Sequence, residues 1–137
     1  MRTIKFRARR KNGKWVVGNF INHFSTYFKT EERHSIFLPK PENDNGGYWV
    51  EDIDPETVGQ FTGLYDCDGK EIFEGDILDF NGLTVEVRFV RGVFAFLANG
   101  DLDEELCGDC RTDLFAKVIG NVHDNPELLK GGKKYKD

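Results

Sequence analysis

Regularly spaced glycines limit this chain to short, tightly turned strands. From Val58 to Phe80 it reads VGQFTGLYDCDGKEIFEGDILDF, and Gly63, Gly69, Gly75 and Gly82 recur every six or seven residues. That interval is too short for a stable helix. Asp68-Gly69 sits between two β-capable runs, and Asn81-Gly82 closes the strand Ile77 to Phe80. Both dipeptides signal hairpins, predicted here as type I′, which needs φ > 0 at both central residues. Glu74-Gly75-Asp76 marks a reversal between them.

The acids in this stretch invite a calcium reading, which the spacing rejects. Counting from Asp66, the fifth position is Lys70, and Gly69 comes too early for an EF-hand loop. Metal-assisted hydrolysis would place its carboxylates at Asp66-x-Asp68 and Glu74-x-Asp76. Neither pair stands in a recognisable catalytic order, so turn polarity explains them better.

The run ETVGQFTGLYDCDGKEIFEGDIL resembles the signature of the YopX family of phage and prophage proteins. VIGNVHDNPELL, Val118 to Leu129, resembles that family's C-terminal signature, and MRTIKFRARRKNGKWVVG its usual start. The resemblance implies a mostly β protein, with an SH3-like barrel in its C-terminal part, encoded in phage genomes. It supplies no catalytic motif, so no functional residue is carried over from it.

The remaining chain agrees with a mainly β fold. At 137 residues it makes one domain or two small ones, and twelve Phe against one Met suit a β-rich core. Ile4, Phe6 and Ala8 alternate with Lys5 and Arg7, Asn12-Gly13 turns, and Trp15 to Val17 returns. Phe20 to Phe28 reads as a strand with a bulge near Asn22-His23, and Ser35 to Leu38 and Tyr48 to Glu51 as short strands. Pro39 to Gly47 is a loop. Asp54-Pro55-Glu56-Thr57 reads as one helical turn, with Asp54 as cap and Pro55 in the first helical position. Leu83, Val85, Val87 and Phe89 predict the inner face of a strand, with Thr84, Glu86 and Arg88 outside. Val93 to Leu97 and Leu114 to Val122 are further strands, and the meander suits a small antiparallel barrel. Leu102 to Leu106 permits a helical turn, and Asp124, Asn125 and Pro126 start a short C-terminal helix. The expected organisation is an N-terminal β region over 1–57 packed on an SH3-like small barrel with terminal helix over 58–130, then a disordered tail over 131–137.

Three cysteines cannot pair completely, which argues against a secreted disulfide framework. Cys107 and Cys110 have CxxC spacing in an acidic context that disfavours redox use. A zinc site of Cys67, Cys107, Cys110 and His123 is the metal alternative, and ordinary cysteines with no cofactor are the expectation. His23 and His34 stand in no motif. There is no apolar run long enough to span a membrane and no secretory leader, so a bacterial host's cytoplasm is the expected location.

Net charge is −5, but Met1 to Lys14 carries seven cations and no acid. Functionally, the sequence predicts a non-enzymatic binding or assembly module acting through protein–protein contact or self-association, as a homo-oligomer or with a phage or host protein. Nucleic-acid binding is the alternative, with Arg7, Arg9, Arg10, Lys11 and Lys14 on phosphate and Trp15 stacking on a base. The same residues also describe a strand edge guarded by charge.

Overall fold

The computed structural model describes residues 3–24, 32–39, 48–106 and 111–129. The chain is mainly β and divides into two compact units, one of Thr3–Gln60 and one beginning at Phe61. Of the expected loop Pro39 to Gly47, Pro39 ends a strand and 40–47 lie outside the described residues, as do 25–28 of the expected strand Phe20 to Phe28 and the tail over 131–137.

The first unit contains β1 (Phe6–Arg10), β2 (Trp15–Phe24), β3 (Glu32–Pro39) and the first part of β4 (Tyr48–Tyr65). β2 pairs with β1 up to Gly18 and with β3 from Asn19 onward. β4 pairs with β3 over Tyr48–Asp52 and then with β1. The two long strands thus change partners midway, and the four strands close on themselves. Phe6 and Ala8 point inward as their alternation predicts, and Ala8, Val16, Ile36 and Ile53 form the buried centre. The rings of Phe6 and Phe20 meet beside it at a tilt, their centroids 5.9 Å apart.

Three sequence expectations change here. The β2–β3 ladder runs through Asn22 and His23 without a register shift, so there is no bulge at that point. Tyr48 to Glu51 opens an 18-residue strand. Asp54 to Thr57 belongs to that strand as a bulge, and is no helical turn. Asp54 still makes the local contact a cap would make, its Oδ1 accepting the Glu56 amide at 3.1 Å.

The second unit contains the end of β4, β5 (Glu71–Phe73), β6 (Asp76–Phe80), β7 (Leu83–Val90), β8 (Val93–Ala98), α1 (Thr112–Phe115), β9 (Ala116–Asn121) and a 3-10 helix (Pro126–Leu129). Its main sheet runs β8-β7-β6-β9, and the end of β4 makes a ladder with β5. Among the described residues these two ladders do not confirm the expected SH3-like closure. Asn81-Gly82 and Asn99-Gly100 both carry positive φ at each residue, as type I′ turns require. At Asp68-Gly69 only Gly69 does. There Gly69 donates to Asp66 O at 3.0 Å and Asp66 to Lys70 O at 2.8 Å, so a left-handed glycine follows an ordinary turn.

The alternation expected for β7 holds only at its centre. Val85 and Val87 are buried with Ile72, Leu78, Phe96 and Ala116. Glu86 is also buried, at 6% exposure, while Phe89 at the strand end is 50% exposed. Glu86 lies in register between Ile77 and Leu97, both fully buried on the opposite face. A Cβ on Gly100 would stand 2.7 Å from Glu86 Oε1 and 3.4 Å from Leu129 Cδ1, so the 3-10 helix closes over this row. Arg88 supplies the counter-charge, its Nη2 donating to Glu86 Oε1 at 2.7 Å. Leu114 and Phe115, expected in the last strand, form α1 instead and are exposed.

Candidate cationic cleft beside the first hairpin

The β1–β2 turn is held by its own backbone. Arg10 donates to Lys14 O at 2.8 Å, Gly13 to Arg10 O at 2.9 Å, and Lys14 to Asn12 Oδ1 at 3.0 Å. Across from it, β4 bulges. Arg7 pairs with Gly59 but Arg9 with Asp54, so residues 55–58 stand against Ala8 alone. Extra residues of this kind bend a strand away from its partner.

Thr57 fixes the bulge. It is buried at 2% exposure, accepts the Arg9 amide at 2.8 Å, and donates its hydroxyl to Asp54 O at 2.7 Å. The bent strand and the turn bound an open cleft of about 580 Å³, lined by Arg9, Arg10, Lys11, Asn12, Gly13, Ile53, Asp54 and Pro55.

Of the six residues that the sequence nominates, Arg9, Arg10 and Lys11 meet at this cleft. Arg7 and Trp15 lie beside it on the hairpin. The Arg7 guanidinium stands 5.0 Å from the Trp15 ring centroid and the Arg9 guanidinium 5.8 Å, both within cation–π range. Lys14 is exposed at the turn and does not line the cleft. The wall formed by Ile53, Asp54 and Pro55, and Thr57 behind it, escaped the sequence reading. The capping pattern of Asp54 to Thr57 was its only local trace.

Two of the four acids weighed as catalytic candidates, Asp66 and Asp76, have structural employment. Asp66 is 3% exposed. Its Oδ1 accepts the amides of Asp68 at 2.9 Å and Lys70 at 2.8 Å, and its Oδ2 accepts that of Val118 at 3.0 Å. Burial opposes its ionisation, but these three amides, with Lys70 nearby, prevail and hold its pKa below the ordinary 3.8. Asp76, 1% exposed, accepts the Phe73 amide at 2.7 Å. Asp68 is exposed and Glu74 half-buried.

The C-terminal stretch is organised in the same way. Asn121 Oδ1 accepts the amides of His123 at 3.0 Å and Asp124 at 2.9 Å, and Asn125 Oδ1 accepts that of Asn121 at 3.2 Å. Cys67 is a free, exposed thiol. Cys107 and Cys110 lie outside the described residues. Among the described residues, no group of three or more His, Cys, Asp and Glu side chains could hold a metal ion. Among the same residues no helix is long and apolar enough to cross a membrane.

Comparison with known proteins gives three findings. The family model described as YopX protein matches residues 5–130. No curated protein matches the chain. A crystal structure of protein EF1440 from Enterococcus faecalis is similar over 94% of this chain and 99% of that one, at 27% identity and a TM-score of 0.61.

Proposed function

We propose that this chain, which belongs to the YopX protein family, is a non-enzymatic binding module that receives an anionic group of its partner in the cleft beside the β1–β2 turn. One observation carries the reading: three consecutive cations, Arg9, Arg10 and Lys11, line a concave surface. Guanidinium groups suit forked contacts with phosphate or carboxylate, and a lysine adds a point charge. The absence of catalysis is part of the proposal, supported by the backbone duties of Asp66 and Asp76. On this reading the protein works inside the bacterial host of a phage.

Calorimetric titration with inorganic pyrophosphate at low salt tests the cleft. Binding is expected, and Arg10→Ala combined with Lys11→Ala should weaken it by about tenfold or more. Heat that is absent at low salt, or unchanged in the double variant, would end this reading.

A second reading, self-association, is favoured by the β7–β8 turn. Phe89 is 50% and Val93 53% exposed there, and Phe89 packs edge-on against Phe94 at 5.1 Å. Exposed apolar groups of this kind mark contact surfaces. Sedimentation analysis decides it, because a strict monomer at micromolar concentration leaves that surface without a partner copy.

A further inference from the structure

We propose that Asn12, on the rim of the cationic cleft, is a site of spontaneous deamidation, and that its conversion sets a carboxylate among the cations and weakens the cleft's hold on anions. The first half stands on the turn itself. The second rests on the anion-binding reading above.

The chemistry needs only water and hydroxide. The Gly13 nitrogen loses its proton to hydroxide and attacks Asn12 Cγ. A C–N bond forms, the side-chain amide departs as ammonia with a proton from water, and a five-membered imide remains. Water opens it at one of its two carbonyls, which gives aspartate or isoaspartate. A following glycine favours the attack, because no Cβ obstructs the nitrogen. Three Asn-Gly pairs among the described residues meet that condition: Asn12-Gly13, Asn81-Gly82 and Asn99-Gly100. Asn45-Gly46 lies outside them.

The surroundings of the glycine nitrogen separate the three. Each amide donates a hydrogen bond, from Gly13 to Arg10 O at 2.9 Å, from Gly82 to Asp79 Oδ1 at 2.8 Å and from Gly100 to Leu97 O at 3.1 Å. What differs is charge. An amide anion on Gly82 would face the Asp79 carboxylate across 2.8 Å, so repulsion opposes loss of the proton. Gly100 is buried away from hydroxide, and a Cβ there would stand 2.7 Å from Glu86 Oε1, so a carboxylate lies close here too. Gly13 is exposed and shares its turn with Arg10, Lys11 and Lys14, while Asp54 is the one acid that lines the cleft among the described residues. Neighbouring cations favour the amide anion, and one pKa unit of such help is about tenfold in its amount. The Lys14 amide also donates to Asn12 Oδ1 at 3.0 Å, and that oxygen gains negative charge during the attack.

Asn12 lines the cleft, so the new carboxylate would stand beside Arg10 and Lys11 and offset their charge. Isoaspartate also inserts a methylene into the main chain of the turn that positions them.

The test is to age the full chain at mildly alkaline pH and follow each Asn-Gly pair by peptide mass spectrometry with fragment sequencing, beside a sample unfolded in urea. Asn12 should convert several-fold faster than Asn81 and Asn99 in the folded protein, and the three rates should converge in urea. Lys11→Gln combined with Lys14→Gln should slow Asn12 alone. Asp79→Asn keeps the acceptor for the Gly82 amide but removes the charge, and should speed Asn81. Aged protein should bind pyrophosphate several-fold more weakly than fresh protein. Asn12→Ser keeps an acceptor for the Lys14 amide but has no amide to lose, and should hold its affinity on ageing. Conversion at Asn12 no faster than at the other two pairs, or unmoved by the lysine variant, overturns the proposal. Fast conversion with undiminished pyrophosphate affinity overturns its second half. Fresh protein that binds no pyrophosphate ends the anion-binding reading and with it that half, while the conversion rates still decide the first.

Discussion

The Asp66 carboxylate accepts the Val118 amide at 3.0 Å, joining positions 52 residues apart in sequence. The same carboxylate holds the turn that follows it, through Asp68 and Lys70. One buried side chain thus shapes the β4–β5 turn and fastens it to β9, aided by the Cys67 amide on Ala116 O at 2.9 Å. Asp66→Ala removes an ionised acceptor and leaves three amides to find others. A loss of about 3 kcal/mol is expected, read from the urea midpoint with unchanged slope.

The pH dependence follows from the same contacts. A carboxyl whose folded pKa lies below its unfolded value stabilises the fold above that unfolded value, here near 3.8. The stabilisation then drains away as pH falls through the lower folded value. Stability should therefore decline on acidification below about pH 4. Asp66→Asn should be less stable at neutral pH and show a flatter decline in that acid range. Parallel acid-unfolding curves for the two proteins would remove Asp66 from the account.

Gly120 is required by a close approach. A Cβ there would lie 2.5 Å from Asn125 Oδ1, the oxygen that accepts the Asn121 amide. Gly120→Ala must push Asn125 aside and break that bond, at a cost of about 2 kcal/mol. In the double variant Gly120→Ala, Asn125→Ala the clash has already gone. Its destabilisation should fall short of the sum of the single effects, and strict additivity would show that the two residues do not meet.

What the sequence disclosed and what it hid divide along the range of the interaction. The turn at Asn81-Gly82 was legible because a left-handed pair is a demand on two adjacent residues. Asp68-Gly69 was misread in type because Asp66 decides its geometry by holding the amides around it. Glu86 was assigned to solvent because its cover, Leu129 and Gly100, comes from elsewhere in the chain. For the cleft, the cations Arg9, Arg10 and Lys11 were visible as a basic run. Their opposing wall was not, because a bulge that begins with Asp-Pro imitates the start of a helix.

Arg91 sits at φ +52°, in the left-handed region that arginine adopts reluctantly, at the turn between β7 and β8. Its compensation is an exposed ion pair, Nη2 to Glu105 Oε1 at 2.6 Å. Asparagine suits that backbone better by about 0.5–1 kcal/mol, and an exposed pair contributes about as much. Arg91→Asn should therefore be near neutral at low salt. In high salt, where the pair is screened, the variant should melt above the parent. Equal salt dependence in both proteins would show that the ion pair adds nothing.

Thr57 offers a way to reach the cleft without touching its surface. Its hydroxyl accepts from the Arg9 amide and donates to Asp54 O, so one buried group sets the spacing between a cation-bearing strand and the wall that carries Asp54. Thr57→Val has nearly the same shape but can do neither. It strands an amide and a carbonyl in a buried place, at a cost of about 2–3 kcal/mol. If the bulge positions the cleft, the variant should also bind pyrophosphate several-fold more weakly at temperatures where it remains folded. Thr57→Ser keeps both hydrogen bonds and should restore the affinity even though it loses the methyl group. A valine variant that is less stable yet binds with parental affinity would confine Thr57 to the fold.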